Sequence, residues 1–326
     1  MRAIIPVAGI GSRLKPHTFS TPKVLLNVGG KPILGHILDK LADEGINKAT
    51  FIIGHLREQI REYVEKNYPS FQSDFVRQKE MQGLGHAIHL AIPTIDEKEI
   101  LIILGDTVFD VNLKDVFKKK QSSLGVKEVD DPRRFGVAVT DKNGIIIKLV
   151  EKPKEPVSNL ALVGLYYFSN SDELKSSLNK LVENDIRTKG ELQLTDAMQM
   201  MIEDGVELTT FPVEGWYDCG KPETLLATNK FLLGKVGNNL NFKDAVIVPP
   251  VFIAEDANIK NSVIGPFTTV SSGCKIENSI IRNSIVGTNA SVSKALLDNS
   301  IIGNNTVITG TYKRLNSGDS SEIEFF

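Results

Sequence analysis

AIIPVAGIGSRLKPHTFSTPK, from Ala3 to Lys23, decides how this chain folds. Its first six residues, Ala3 to Ala8, form a short apolar run that reads as a buried parallel strand. Glycines follow at once. Further on, Pro32 to Glu44 carries Ile33, Ile37 and Leu41 at helical spacing. A strand that opens into glycines and then a cation is built to hold phosphate. Gly9 and Gly11 let backbone N–H groups approach an anion, while Arg13 and Lys23 bring charge to it. The spacing after Gly11 lacks the third glycine of a dinucleotide fingerprint, and no Gly-Lys-Ser/Thr closes a Walker A loop.

Outward from this stretch, strands and helices alternate. Phe51 to Ile53, Phe75 to Val76 and Ile100 to Leu104 read as strands, and Leu56 to Lys66 and Gly83 to Ala91 as helices. This order predicts an α/β fold with right-handed βαβ units and a doubly wound, mainly parallel, Rossmann-like sheet. Ligands on such sheets bind outside the carboxyl ends of the strands, where the loops after Ala8 and Leu104 emerge. Beyond Phe242 aliphatic residues fall every six positions: Ile247, Ile253, Ile259, then Ile264, Val270, Ile276. After a shift they resume at Val286 and Val292, then Ile302 and Ile308, with steps of five at 259 to 264 and 297 to 302. Small turn residues between them predict a short parallel β-helix of hexapeptide repeats. The expected organisation is a catalytic domain over 1–236, the β-helix over 243–310 and a polar tail over 311–326.

The chain has 326 residues, with Lys plus Arg 38 and Asp plus Glu 40. That near-balance argues against nucleic acid as the main partner. No apolar stretch reaches membrane-spanning length, and the N-terminus reads as a core strand, so no membrane partner is expected and a cytoplasmic location is. Cys219 and Cys274 make neither a disulfide framework nor a metal site, and the five histidines show no convergence. Asp106 ends an apolar strand in ILIILGDTVF, where a carboxylate can hold Mg²⁺ at the crevice or cap a turn.

Gly9, Gly11, Ser12, Arg13, Pro16, Thr18, Pro22 and Lys23 together resemble the N-terminal signature of the sugar-1-phosphate nucleotidyltransferases, some of which append a left-handed β-helix. By that resemblance Arg13 contacts the triphosphate with Lys23 as its companion cation. Gly9, Gly11, Ser12, Gln78 and Gly83 bind the nucleotide, and Gln78 reads the pyrimidine edge, with Gln82 as a competitor. Lys152 in LVEKP holds the sugar phosphate, and Glu151, Gly136 and Glu191 contact the sugar. Asp218 in GWYDCG joins Asp106 as the second Mg²⁺ ligand. Thr195 and Asp196 are expected to cap a helix over Ala197 to Glu203. Cys219, beside Asp218, raises an expectation of thiol-sensitive activity. The implied reaction is Mg²⁺-dependent transfer from dTTP or UTP to glucose 1-phosphate, by a homo-oligomer. Rival readings are mannose-1-phosphate guanylyl transfer, a subunit that kept the fold without catalysis, and a bifunctional protein whose β-helix transfers acetyl groups. The β-helix is expected to set assembly, so that a cut near Gly237 leaves transfer but changes the oligomer.

Overall fold

A computed structural model describes residues 1–235 and 242–310. The expected domain limit at 236, the cut point near Gly237 and the 311–326 tail lie outside the described residues. The chain forms two compact units, one of Met1–Leu26 with Lys31–Thr228, the other of Asn27–Gly30 with Asn229 onward.

In the first unit, strands β1 (Arg2–Pro6), β2 (Lys48–Ile53), β3 (Gln72–Arg77) and β4 (Ile100–Ile103) are parallel, in the order β3-β2-β1-β4. Helices α1 (Ile33–Asp43), α2 (Arg57–Asn67) and α3 (Leu84–Leu90) make the connections. This half follows the strand-helix alternation of the sequence. A short strand β5 (Thr107–Asp110) and helix α4 (Leu113–Lys118) leave the end of β4.

The other half of the sheet is antiparallel, so the sheet is mixed. It comprises β6 (Ser123–Glu128), β7 (Gly136–Thr140), β8 (Ile146–Glu151), β9 (Leu160–Phe168) and β10 (Thr209–Pro212). The nine-residue β9 runs antiparallel to β4, β6 and β7, and only β10 pairs in parallel, on β6. Strand β11 (Gly215–Asp218) pairs with β5 and sets Asp218 opposite Thr107.

Helices α5 (Ser171–Glu183) and α6 (Leu194–Glu203) cover one face of the sheet. There Ile4, Ile52 and Ile102 pack with Ile88, Leu178 and Met198 in one buried cluster. Each such side chain contributes about 1.5–3 kcal/mol by leaving water. Helix α7 (Pro222–Gly234) contains the boundary between the two units at Thr228 and Asn229.

The second unit is a left-handed parallel β-helix with three stacks of short strands. Its inward rungs are Ile247, Ile264, Ile281, Leu297; Ile253, Val270, Val286, Ile302; and Ile259, Ile276, Val292, Ile308. Ile281 explains the shift in the hexapeptide period. It fills the rung between Ile276 and Val286, so two five-residue sides follow one another. Cys274 belongs to this core, its thiol donating to the carbonyl of Gly287 at 3.0 Å. No helix among the described residues is long and apolar enough to cross a membrane.

Candidate active site

The loop after β1 is shaped by Gly11. Its φ of +69° is a left-handed conformation, and a Cβ there would lie 2.9 Å from Thr18 Cγ2 and 3.0 Å from Lys23 Cβ. Thr18 Oγ1 donates to the Gly11 carbonyl at 2.9 Å and ties the loop back on itself. Gly9 has no such constraint, since a Cβ there would meet nothing within 4 Å. The two glycines therefore serve different ends: Gly11 builds the loop, and Gly9 leaves space beside it.

A cavity of about 400 Å³ opens at the carboxyl ends of β1 and β4. Nine of the residues singled out from the sequence line it: Gly9, Gly11, Ser12, Arg13, Lys23, Gln78, Gly83, Asp106 and Glu191. Lys23 is 8% exposed and its Nζ lies 2.5 Å from Asp106 Oδ2. Asp218 sits beside this pair. Burial first, then the neighbouring Asp106, push its carboxyl above the usual range, while Lys23 and Arg13 pull the other way.

Gln78, at the end of β3, is 5% exposed and lines the cavity. Its rival Gln82 is occupied elsewhere: its amide nitrogen donates to Glu80 Oε2 at 2.6 Å and its oxygen accepts from Arg187 at 2.9 Å. Gly83 must be glycine, with φ +116° and a Cβ position 2.5 Å from the Leu192 carbonyl.

Gly136, Glu151 and Lys152 do not line this cavity. They form a second cluster on paired strands β7 and β8, where Gly136 lies opposite Glu151. Glu151 Oε1 is 3.1 Å from Lys152 Nζ, and Oε2 accepts from Thr195 Oγ1 at 2.7 Å. A Cβ on Gly136 would lie 3.0 Å from both Glu151 Oε2 and Thr195 Oγ1. Two links join the clusters. Glu191, on the cavity wall, accepts from Gln193, the N-cap residue of α6, two positions before Thr195. Trp216 of β11, two residues before Asp218, packs edge-on against Phe135 with centroids 4.9 Å apart, and the Phe135 carbonyl accepts from the Lys152 N–H.

Two readings change here. Helix α6 starts at Leu194 with Gln193 in the N-cap position, so Thr195 and Asp196 lie inside its first turn and neither caps it. Thr195 turns instead to Glu151. Cys219 is fully buried, 3.5 Å from Thr228 Oγ1, and burial pushes its thiol up to about 12. A protonated, enclosed thiol does not support the expected thiol sensitivity. His86 Nδ1 lies 3.4 Å from Gln78 Nε2.

Gly220 was missed in the sequence, although the glycine closing Trp-x-Asp-x-Gly was its signal. It lines the cavity, and a Cβ on it would fall 2.9 Å from Arg13 Nη2 and 2.9 Å from Asp218 Oδ1. One methyl group would thus separate these two side chains. Gly220→Ala is expected to lower kcat by about tenfold or more, since small displacements of reacting groups are costly. Its melting temperature should hold, because both obstructed groups are ends of side chains. A kcat within twofold of the parent would refute this.

Could this site hold a divalent metal? Among the described residues no three His, Cys, Asp or Glu side chains converge as a closed metal cage. Asp106 lines the cavity beyond the end of β4, and the Asp218 carboxylate at the end of β11 is near enough to feel its charge. Mg²⁺ is commonly bound by one or two carboxylates, with phosphate oxygens and water completing its shell. The pair fits such an ion.

Comparison with known proteins identifies the family and the fold. The nucleotidyl transferase family matches residues 2–235, and the GlmU-like, C-terminal hexapeptide family matches residues 227–316. The bifunctional protein GlmU of Methanocaldococcus jannaschii is 37% identical over 264 residues, covering 79% of this chain and 61% of that protein. The chain thus spans about three-fifths of that relative's length. The UTP–glucose-1-phosphate uridylyltransferase AglF of Haloferax volcanii is 35% identical over 231 residues, covering 68% of this chain and 93% of that protein. In fold, the chain resembles a crystal structure of UDP-glucose pyrophosphorylase complexed with UDP-glucose, with a TM-score of 0.62 and 24% identity, over 72% of this chain and 99% of that one. From its glycine loop to the end of α7, this chain belongs to the nucleotidyl transferase family.

Proposed function

We propose that the protein transfers a nucleotidyl group from dTTP or UTP to glucose 1-phosphate, giving the nucleoside-diphosphate glucose and pyrophosphate, with Mg²⁺ held by Asp106 and Asp218. The observation that carries this reading is the meeting of a glycine loop, Arg13, Lys23, Gln78 and Asp106 in one cavity. In the reaction a sugar-phosphate oxygen forms a bond to the α-phosphorus, and the bond from that phosphorus to the β-phosphate bridge oxygen breaks. The attacking oxygen is already ionised at neutral pH, so the protein's task is to gather two polyanions and stabilise charge. Gly9, Gly11 and Ser12 lie against the phosphates, and Arg13 and Lys23 offset their charge. Gln78 and the Gly83 backbone meet the base. Lys152 takes the sugar phosphate, and Glu151, Gly136 and Glu191 take the sugar hydroxyls. Bound Mg²⁺ would polarise the α-phosphate and neutralise charge on the departing pyrophosphate.

A pyrophosphate-release panel tests this: dTTP, UTP, GTP, CTP and ATP against glucose, galactose, mannose and N-acetylglucosamine 1-phosphates. Release with dTTP or UTP and glucose 1-phosphate is expected. Release only with GTP and mannose 1-phosphate would select the guanylyl reading, and no release with any pair would select the inactive subunit. The GlmU-like match keeps the acetyl-transfer reading testable by a coenzyme A binding assay. The chain has no histidine after His89 to serve as a general base in the β-helix.

A further inference from the structure

The amide of Gln78 is wedged between two groups that decide which way round it sits. Its Nε2 lies 3.3 Å from the Gly83 carbonyl and 3.4 Å from His86 Nδ1. A backbone carbonyl only accepts, so the amide must turn its NH₂ toward Gly83. That NH₂ also faces His86, whose Nδ1 must then carry a lone pair rather than a proton. With both N–H bonds turned to the protein, Oε1 has no partner among the described residues. Gln78 lines the cavity, so it offers a hydrogen-bond acceptor there.

We propose that neutral His86 is a positioning residue that locks Gln78 with its oxygen toward the base, and that protonation of His86 undoes this lock. The proposal rests on the assignment of Gln78 to the base under the proposed function. An acceptor at this point suits the N3–H of uracil or thymine, whereas cytosine presents a lone pair at its N3. A proton on His86 Nδ1 would set two donors against each other. Flipping the amide would relieve that clash but turn Oε1 onto the Gly83 carbonyl, oxygen against oxygen. Neither orientation then satisfies both neighbours.

The groups facing His86 favour the neutral ring. Burial lowers its pKa, His89 on α3 and Arg187 beyond α5 lower it further, and Glu80 on the preceding loop opposes them. Glu80 and Arg187 are both fixed by Gln82. The neutral form therefore prevails at neutral pH, and the lock fails as pH falls through a value below the ordinary histidine range.

The test is UTP binding to the full chain by calorimetry at about pH 7.5 and about pH 5, for the parent, His86→Asn, His86→Phe and Gln78→Ala. Comparing variants with one ligand at each pH cancels titration of the triphosphate. Asn keeps an acceptor near the Nδ1 position but does not titrate, so the acid-side loss of affinity should be about fivefold larger in the parent than in His86→Asn. His86→Phe, with no acceptor, should bind about fivefold more weakly than the parent at the higher pH. Equal acid-side losses in the parent and His86→Asn, with Gln78→Ala still weakening binding, would overturn the role of His86 alone. Unchanged binding by Gln78→Ala would overturn the assignment of Gln78 to the base, and the role of His86 with it.

Discussion

Asp218→Asn is expected to lower turnover by about 10²-fold, the scale of losing one preorganised contact to transition-state charge, with no fall in melting temperature. Asp106→Asn should match it in turnover but not in stability. The difference follows from their neighbours. Asp218 is held close to another carboxylate, and burial and repulsion both oppose its charge. An amide of nearly the same shape removes the repulsion and leaves the packing. Asp106 is the ion partner of Lys23, which is 8% exposed. Removing its charge takes from a buried ammonium its ion partner and leaves only the neighbouring Asp218 carboxylate to offset it, a loss on the order of 1 kcal/mol for a pair open to solvent on its carboxylate side. Steady-state kinetics at saturating Mg²⁺ and both substrates, with thermal melts of the same samples, read both quantities. Near-normal turnover in the two variants would remove both aspartates from the reaction.

The parts of the fold set by local periodicity were legible in the sequence. Ile4, Ile52 and Ile102 mark buried parallel strands because their neighbours are also apolar, and the hexapeptide period marks a coil that points one residue inward per side. Strand direction is not written in that way. The run LALVGLYYF over Leu160–Phe168 is buried on both faces, like a parallel strand, yet pairs antiparallel on both sides. Burial fixes the composition, and the connections fix the direction.

The candidate site divides similarly. Gly11, Lys23 and Asp106 were legible because a strand end and its loop lie within one stretch of chain. Thr195 was not, because a threonine in a first helical turn looks the same whether it caps the helix or faces a glutamate brought in by a distant strand. Gln78 and Gln82 are chemically identical. What separates them is Arg187, 105 positions from Gln82, which holds one amide away from the cavity.

Arg13→Ala should lower kcat by about 10²-fold, whereas Lys152→Ala should chiefly raise the KM for sugar phosphate by about tenfold. Each cation's surroundings give the reason. Lys152 sits against the Glu151 carboxylate at 3.1 Å, with its side chain 41% exposed. Its amine is balanced before substrate arrives and meets a dianion whose charge changes little until the bond forms. That interaction is made in the ground state and persists, so its loss appears in binding. Arg13 is exposed on the 3₁₀ turn Ser12–Leu14, and its guanidinium converges with the Asp218 carboxylate on the place that a Cβ on Gly220 would take. It is thus aimed where the proposed metal and triphosphate meet, and where negative charge grows on the departing pyrophosphate. An interaction that strengthens along the reaction is lost from kcat. Arg13→Lys separates charge from geometry: a point charge that cannot grip two oxygens should recover only part of the rate. If both alanine variants lose only nucleotide affinity, Lys152 faces the triphosphate and the sugar phosphate is held elsewhere.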